Sequence, residues 1–228
     1  MKVVILAGGL GTRLAEETEV RPKPMVEVGE KPILWHIMKH FSCYGFREFI
    51  IALGYKGELI KKFFLEQSSL QGSLTIDLQR GQITGRDEVT EDWIVHLVET
   101  GLESSTGGRI RRVKEYIGDQ RFMLTYGDGV SNVDLHALLA VHEKNKRIVT
   151  LTAVRPPARF GGLVLDGDLI VHFTEKPQMG EGWINGGFMV MEPQVFDYIP
   201  FDSTNLEIDV LEKLAQKGQL AAYQHYDF

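Results

Sequence analysis

Short apolar runs alternate along this chain with stretches in which apolar residues recur at helical spacing. Val3–Ala7, Phe49–Leu53 and Phe122–Thr125 are nearly unbroken apolar runs, and Val149–Val154 is a further predicted strand. A strand with one wet face would alternate apolar and polar residues, so unbroken runs predict strands covered on both faces. Ile33, Leu34, Ile37, Met38 and Phe41 form one helical stripe, opened by Pro32 and stopped at Gly45. Leu59, Ile60, Phe63 and Phe64 form a second stripe within Lys56–Glu66, which reads as core packing. Arg109–Ile117 (closed by Gly118), Val133–Asn145 and Ile208–Ala215 are further predicted helices. Leu74–Leu78, Ile94–Val98, Ile184–Met191 and Leu220–Tyr226 are further predicted strands. The alternating runs flanking Asp166-Gly167-Asp168 predict a hairpin. Gly186-Gly187 inside a strand marks a place where something approaches the backbone closely. Strands and helices in alternation predict an α/β fold with a mainly parallel, mixed sheet, and no linker divides residues 1–228, so one domain is expected. Ligands in such folds sit beyond the carboxyl ends of the strands.

Composition narrows the partners. The 228 residues carry 25 Lys+Arg against 31 Asp+Glu, a net charge of −6. That acidity argues against a general nucleic-acid or anionic-membrane binder, and an anionic ligand would need a locally basic pocket. A chain of this length buries roughly 70% of its unfolded surface, so no disulfide or metal staple is required for folding. Cys43 is the single cysteine, which excludes an internal disulfide and suits a reducing compartment. No apolar run approaches the ~20 residues of a membrane span. The apolar start Val3–Ala7 is too short for a signal-peptide core, and glycines follow at once. The expectation is a soluble, cytoplasmic domain.

The loop after the first strand, Leu6-Ala7-Gly8-Gly9-Leu10-Gly11-Thr12-Arg13-Leu14, carries the first chemistry. Glycines let backbone N–H groups approach and cradle a phosphate. The loop lacks the Gly-Lys-Ser/Thr of a Walker A motif, and Leu14 stands where a dinucleotide fingerprint has its third glycine. It adds Arg13 instead, whose forked donors suit phosphate oxygens. Further on, Arg21-Pro22-Lys23-Pro24-Met25 holds Lys23 between two prolines that stiffen the segment. The bland alternative is a surface turn with two solvated cations. His36 and His40 lie four apart on one predicted helix, but Ile37 stands where a metalloprotease glutamate would be, so they read as packing histidines.

The run Gly8-Gly9-Leu10-Gly11-Thr12-Arg13-Leu14 followed by Pro22-Lys23-Pro24-Met25 resembles the sugar-1-phosphate nucleotidyltransferases. Within that family the chain is similar to the branch that moves a cytidylyl group from CTP to glucose 1-phosphate, giving CDP-glucose and pyrophosphate. That closer likeness rests on Arg13–Thr18, Lys31–Met38, Gly54-Tyr55-Lys56-Gly57, Ser105–Arg109, Tyr126–Val130, Phe173–Pro177 and Ile184–Phe188. The resemblance implies a Rossmann-like three-layer nucleotidyltransferase fold, Mg²⁺ as the metal, CTP and glucose 1-phosphate as ligands, and leaves a homo-oligomer open. It implies Arg13 and Lys23 as catalytic residues, with Lys23 at the α-phosphate. It implies nucleotide contacts from Leu6, Ala7, Gly8, Gly9, Gly11, Thr12, Ser104, Thr106, Gly107, Arg109 and Asp128. Gly161, Glu175, Lys176, Asn185 and Gly186 are the implied sugar-phosphate residues, and Asp128 the implied metal ligand.

Each assignment has a plainer rival. Asp128 in Gly-Asp-Gly suits a simple turn, and Lys176 before Pro177 suits a solvated strand end. Other branches read thymine or uracil with a glutamine-rich segment near Ser104–Arg109, where this chain has Thr106-Gly107-Gly108-Arg109. Arginine offers donors only and cytosine offers a carbonyl and a ring-nitrogen acceptor, so Arg109 suits cytosine; alternatively it begins a basic helix with Arg111, Arg112 and Lys114. The family's second metal-binding aspartate lies in a Trp-x-x-Met-Asp-Thr-like segment beyond the strand matched by Leu220–Tyr226. Glu207, Asp209 and Asp227 do not match that position. The expectation is therefore a site with one carboxylate plus phosphates; the alternatives are a transferase for another base or another hexose 1-phosphate, or a catalytically weak protein that binds a nucleotide sugar.

Overall fold

The apolar runs assemble into a seven-stranded sheet in the computed structural model, which describes residues 1–9, 21–69, 73–86, 91–155, 162–166, 169–174 and 182–227. In chain order the first strands are β1 (Val3–Leu6), β2 (Glu27–Val28), β3 (Lys31–Pro32), β4 (Glu48–Leu53), β5 (Ser73–Asp77), β6 (Gln82–Arg86) and β7 (Ile94–Glu99). They are followed by β8 (Phe122–Tyr126), β9 (Val149–Val154), β10 (Gly162–Asp166), β11 (Leu169–Thr174), β12 (Ile184–Met191) and β13 (Leu220–His225). The large sheet runs β13-β9-β12-β8-β1-β4-β7. Its pairs are parallel except where β12 lies antiparallel to β8 and β9, so the sheet is mainly parallel and mixed, as the pattern predicts.

Burial on both faces explains the unbroken runs. Val3 and Ile5 face one core with Phe49, Ile51, Met123 and Val190. Val4 and Leu6 face the other with Ile50, Ala52, Leu124 and Met189. The first core is closed by α1 (Ile33–Cys43), through Leu34, Ile37, Met38 and Phe41, and by Ile60 of α2 (Gly57–Ser69). The second is closed by Ile110 of α3 (Thr106–Arg112) and Ile117 of α4 (Lys114–Ile117). Leu135 and Leu138 of α5 (Leu135–Asn145) return to the first core, and Leu214 of α6 (Glu212–Gln216) belongs to the second. The result is three layers, helices on either side of a sheet.

Several elements depart from the pattern. The helix predicted from Arg109 begins three residues earlier, and Gly107-Gly108 lie inside it. These glycines act as close-approach positions: a Cβ on Gly108 would fall 1.9 Å from the Asp202 carbonyl oxygen, and one on Gly107 2.7 Å from that of Thr204. Ser105 N–H donates to Asp202 O and Gly108 N–H to Thr204 O, so a distant segment, not local propensity, starts this helix. The helix predicted at Ile208 begins as a π-turn over Leu206–Leu211, capped by the Asn205 side chain accepting from Ile208 N–H. β2 pairs with β3 and β5 with β6 as hairpins; the predicted strand Leu74–Leu78 is β5 shifted by one residue, whereas β2, β3 and β6 were too short or too polar to predict. β10 and β11 pair antiparallel, as the flanks of Asp166 predict, while the turn residues 167–168 lie outside the described residues.

The order of strands positions the site. From β1 the chain crosses to β4 on one side and later to β8 on the other, so β1 is the point at which the strand order reverses. Helices on opposite faces part there, leaving a crevice beyond the carboxyl ends of β1 and its neighbours. Because β12 is antiparallel, its first residues, Ile184 and Asn185, arrive at that same edge.

Candidate active site

A cleft of about 380 Å³ opens at this edge. It is lined by Leu6, Ala7, Gly8 and Gly9 from the end of β1, Lys23 and Pro24, Ser104–Thr106 and Arg109 around the start of α3, and Tyr126 and Asp128 after β8. The sequence-predicted residues Leu6, Ala7, Gly8, Gly9, Lys23, Ser104, Thr106, Arg109 and Asp128 are therefore brought together. Gly107 does not line the cleft; it packs against Thr204. Asn185 reaches the cleft wall through Tyr126, to whose hydroxyl its amide donates at 3.4 Å. Gly186 lies under β9, where a Cβ would meet Val154 Cγ1 at 2.8 Å. Gly11, Thr12, Arg13, Gly161, Glu175 and Lys176 lie outside the described residues.

Lys23 is placed by its prolines. Pro22 is extended, Lys23–Met25 makes one 3₁₀ turn, and Pro24 is buried. Pro24 rests on Gly127, where a Cβ would come within 3.0 Å of both Pro24 Cγ and the Leu6 carbonyl oxygen. Gly127 N–H in turn donates to that carbonyl at 2.9 Å. A side chain at Gly127 would have to push Pro24 or the Leu6 carbonyl aside, and the close packing sets Lys23 beside the next residue: Lys23 Nζ lies 2.5 Å from Asp128 Oδ2. Both side chains remain partly exposed at the cleft.

Arg109 is 5% exposed, a cation fixed in the wall. Its Nη1 donates to Thr100 Oγ1 at 2.7 Å and to the carbonyls of Gly101 at 2.8 Å and Leu53 at 3.2 Å, while Nη2 donates to Leu102 O at 3.2 Å. The guanidinium is flanked by Gly8 and Gly54, where added Cβ atoms would come within 2.2 and 2.4 Å of Nη1. Gly8 is therefore required by an arginine as well as suited to a phosphate. Burial, with Arg112 nearby, lowers the Arg109 pKa from its ordinary value, which is high enough that the group stays charged at neutral pH. Among the described residues nothing lies within 4 Å of a would-be Cβ at Gly9.

Sequence reasoning gave no role to Tyr126, Asn205 or Glu207. Tyr126 OH donates to Glu207 Oε1 at 2.5 Å and Thr106 Oγ1 donates to Glu207 Oε2 at 2.8 Å. Burial first, then Glu207, raises the Tyr126 pKa far above the ordinary phenol value, so this hydroxyl keeps its proton. The spacing of Asn205 and Asp209, a cap residue and an acid ahead of an apolar stripe, is the signal that could have marked this segment as a helix start.

Among the described residues lining the cleft, Asp128 is the carboxylate that could hold a cation. Among the described residues no group of three His, Cys, Asp or Glu could hold a metal ion. Mg²⁺ suits such a site, because it takes one or two carboxylates and completes its shell with phosphate oxygens and water. His36 and His40 donate instead to the carbonyls of Val28 and Val133, as packing histidines do.

The family pattern described as nucleotidyl transferase matches residues 2–228. The chain is 48% identical over 229 residues to glucose-1-phosphate cytidylyltransferase of Salmonella typhi, covering 100% of this chain and 89% of that one. It is equally, at 48% over 229 residues, similar to glucose-1-phosphate cytidylyltransferase of Salmonella typhimurium, with the same coverage. Among solved structures, HddC from Yersinia pseudotuberculosis complexed with GMP-PN superposes with a TM-score of 0.70 at 26% identity, covering 98% of this chain and 90% of that one.

Proposed function

Because the chain belongs to the nucleotidyl transferase family, we propose that it transfers the cytidylyl group of CTP to glucose 1-phosphate, releasing pyrophosphate and forming CDP-glucose. The observation that carries this reading is the joining of the glycine turn after β1, Lys23, Arg109 and Asp128 in one cleft at the switch point of the sheet.

In the proposed reaction an oxygen of the sugar 1-phosphate attacks the α-phosphorus of CTP. The bond from that phosphorus to the bridging oxygen of the β-phosphate breaks, and its electron pair leaves with pyrophosphate. Two polyanions must meet in line, so catalysis is mostly charge neutralisation and positioning. The backbone of the buried Gly8 and the exposed Gly9, both lining the cleft, serves the triphosphate. Lys23 supplies positive charge at the α-phosphate, where charge shifts during transfer, and Arg13 adds its forked donors. Such cation clamps contribute several kcal/mol when charge develops next to them. Asp128 would hold Mg²⁺, which when bound neutralises phosphate oxygens and orients the leaving group. Arg109 supplies donors on the base side, and Gly161, Glu175, Lys176, Asn185 and Gly186 serve the sugar phosphate.

We place this activity in the cytoplasm, where nucleoside triphosphates are present and the exposed Cys43 thiol stays reduced. Among the described residues no helix is long and apolar enough to cross a membrane. The test is product formation from glucose 1-phosphate and Mg²⁺ with CTP, UTP, dTTP and GTP supplied separately and the product read by mass. CDP-glucose from CTP alone is the expected result. A different nucleotide sugar would keep the chemistry and overturn the base assignment; no product from any pair would overturn the activity.

A further inference from the structure

The described cleft has a nucleotide end at the start of α3 and a sugar end at the start of β12, and one carboxylate outside its lining touches groups from both. Glu207 sits in the π-turn that precedes α6. Its Oε2 accepts from Thr106 Oγ1 at 2.8 Å and its Oε1 from Tyr126 OH at 2.5 Å. The Thr106 hydroxyl is fixed on its other side by Leu206 N–H at 2.9 Å. The Tyr126 hydroxyl accepts from Asn185 Nδ2 at 3.4 Å, while Asn185 Oδ1 accepts from Gly187 N–H at 2.9 Å. These partners fix the Asn185 amide orientation and leave it a second N–H to offer a ligand. Gly187 has φ +86°, and a Cβ there would lie 2.9 Å from the Tyr126 ring, so the ring is seated on this turn.

Resting on the transferase reading above, we propose that Glu207 is a positioning residue that sets the sugar-side Asn185 through Tyr126 and the nucleotide-side Thr106 directly. One ionised carboxylate has an oxygen for each hydroxyl, and hydrogen bonds to a charged acceptor are the short, strong kind. Both hydroxyl protons are thereby committed to Glu207, which leaves the Tyr126 oxygen able only to accept from Asn185. The two ends of the cleft are held in one register, and in-line transfer depends on such registration.

The test is a double-mutant cycle read as separate KM values for glucose 1-phosphate and for CTP. Tyr126→Phe keeps the ring on Gly187 and is expected to raise KM for the sugar phosphate at least fivefold, with KM for CTP within twofold. Thr106→Val is expected to do the reverse. Glu207→Ala is expected to raise both, and Glu207→Gln, which retains an acceptor for the Tyr126 hydroxyl, to recover the sugar KM to within twofold of the parent. Added to Tyr126→Phe, Glu207→Ala is expected to leave the sugar KM unchanged, because it acts there through the lost hydroxyl. Sugar KM unmoved by Tyr126→Phe, or multiplicative effects of the two substitutions, would overturn the proposal. If the parent turns over no substrate pair, the transferase reading falls by itself. The same cycle is then read by calorimetry with CDP-glucose, where additive losses or an absence of binding overturn the brace and non-additive losses support it.

Discussion

Lys23 Nζ and Asp128 Oδ2 lie 2.5 Å apart although the chain between them runs through α1, β4 and three further helices. The pair joins a cation suited to phosphate oxygens to a carboxylate suited to Mg²⁺, each neutralising the other. On the proposed reading a metal–nucleotide ligand would bring both complementary charges, so that its binding would exchange partners without leaving either residue unpaired. An ion pair this exposed contributes only about 0–1 kcal/mol to stability.

Activity and stability should therefore separate at this pair. Lys23→Ala is expected to lower kcat at least tenfold, and Asp128→Asn to do likewise while raising the Mg²⁺ concentration needed for half-maximal rate. The thermal midpoint of either variant should stay within roughly 4 °C of the parent, given about 2–4 °C per kcal/mol for a chain of this size. Initial rates across a Mg²⁺ titration, alongside thermal unfolding, check this. Parent-like turnover in both variants would remove the pair from the catalytic machinery.

Arg109 predicts the opposite balance. Its guanidinium serves the carbonyls of Leu53, Gly101 and Leu102 and the Thr100 hydroxyl from a buried position. Arg109→Met removes the guanidinium donors to the Gly101 and Leu102 carbonyls, while Leu53 O keeps its bonds from Thr100, and a buried unsatisfied group costs about 1–3 kcal/mol. Thermal unfolding should show a fall of several degrees, larger than any caused by Lys23→Ala. Arg109→Lys, which restores the charge but not the fork, should fold better and still show a raised KM for CTP. An unchanged midpoint in Arg109→Met would show that these contacts carry no stability.

What was legible in the sequence was what is local or periodic. Val3–Leu6 and Phe122–Tyr126 announce themselves because burial on both faces leaves no polar residue to interrupt them until Thr125. Lys23 was legible because prolines constrain their own neighbours. The role of Gly107-Gly108 was not, because the backbone that demands glycine there comes from Asp202 and Thr204, nearly a hundred residues on. Glu207 was hidden for the same reason: its partners Tyr126 and Thr106 are 81 and 101 residues away, and nothing in its local motif distinguishes it from a solvated helix acid. Gly8 shows a half-legible case, read as a phosphate cradle while the structure adds the Arg109 guanidinium as a second reason for it.

Glycines of the two kinds should respond differently to alanine. A Cβ at Gly108 would fall 1.9 Å from Asp202 O, so backbone must move. Such overpacking costs typically 1–3 kcal/mol, and Gly108→Ala should lower the thermal midpoint accordingly. A Cβ at Gly9 meets nothing among the described residues, so Gly9→Ala should fold like the parent yet bind CTP more weakly, the methyl occupying space at the cleft. Calorimetric CTP binding and thermal unfolding on both variants check this. A destabilised Gly9→Ala with intact CTP affinity would reverse the assignment.

Stability should also fall on mild acidification. His142 is fully buried, with Nδ1 2.8 Å from Thr150 Oγ1 and Nε2 3.0 Å from Glu192 Oε1, and Arg121 lies on the same carboxylate. Burial lowers the imidazole pKa, and Arg121 adds to the effect while the Glu192 hydrogen bond opposes it. His40 is lowered by burial as well, against its bond to the Val133 carbonyl. In both cases the unfolded chain, with histidine near its ordinary value of about 6.5, binds the proton more readily than the folded one. The stabilisation is thus fully present above about pH 6.5 and is lost as pH falls through the depressed folded values. Glu192 is also lowered from its ordinary value, but as a carboxylate it acts in a more acidic window. Urea midpoints should therefore decline from pH 7.5 to pH 5.5 in the parent. His142→Gln, less stable at pH 7.5, should show a shallower decline, with the remaining slope owed to His40. An equal slope in parent and variant would mean that the buried imidazole takes up its proton as readily folded as unfolded.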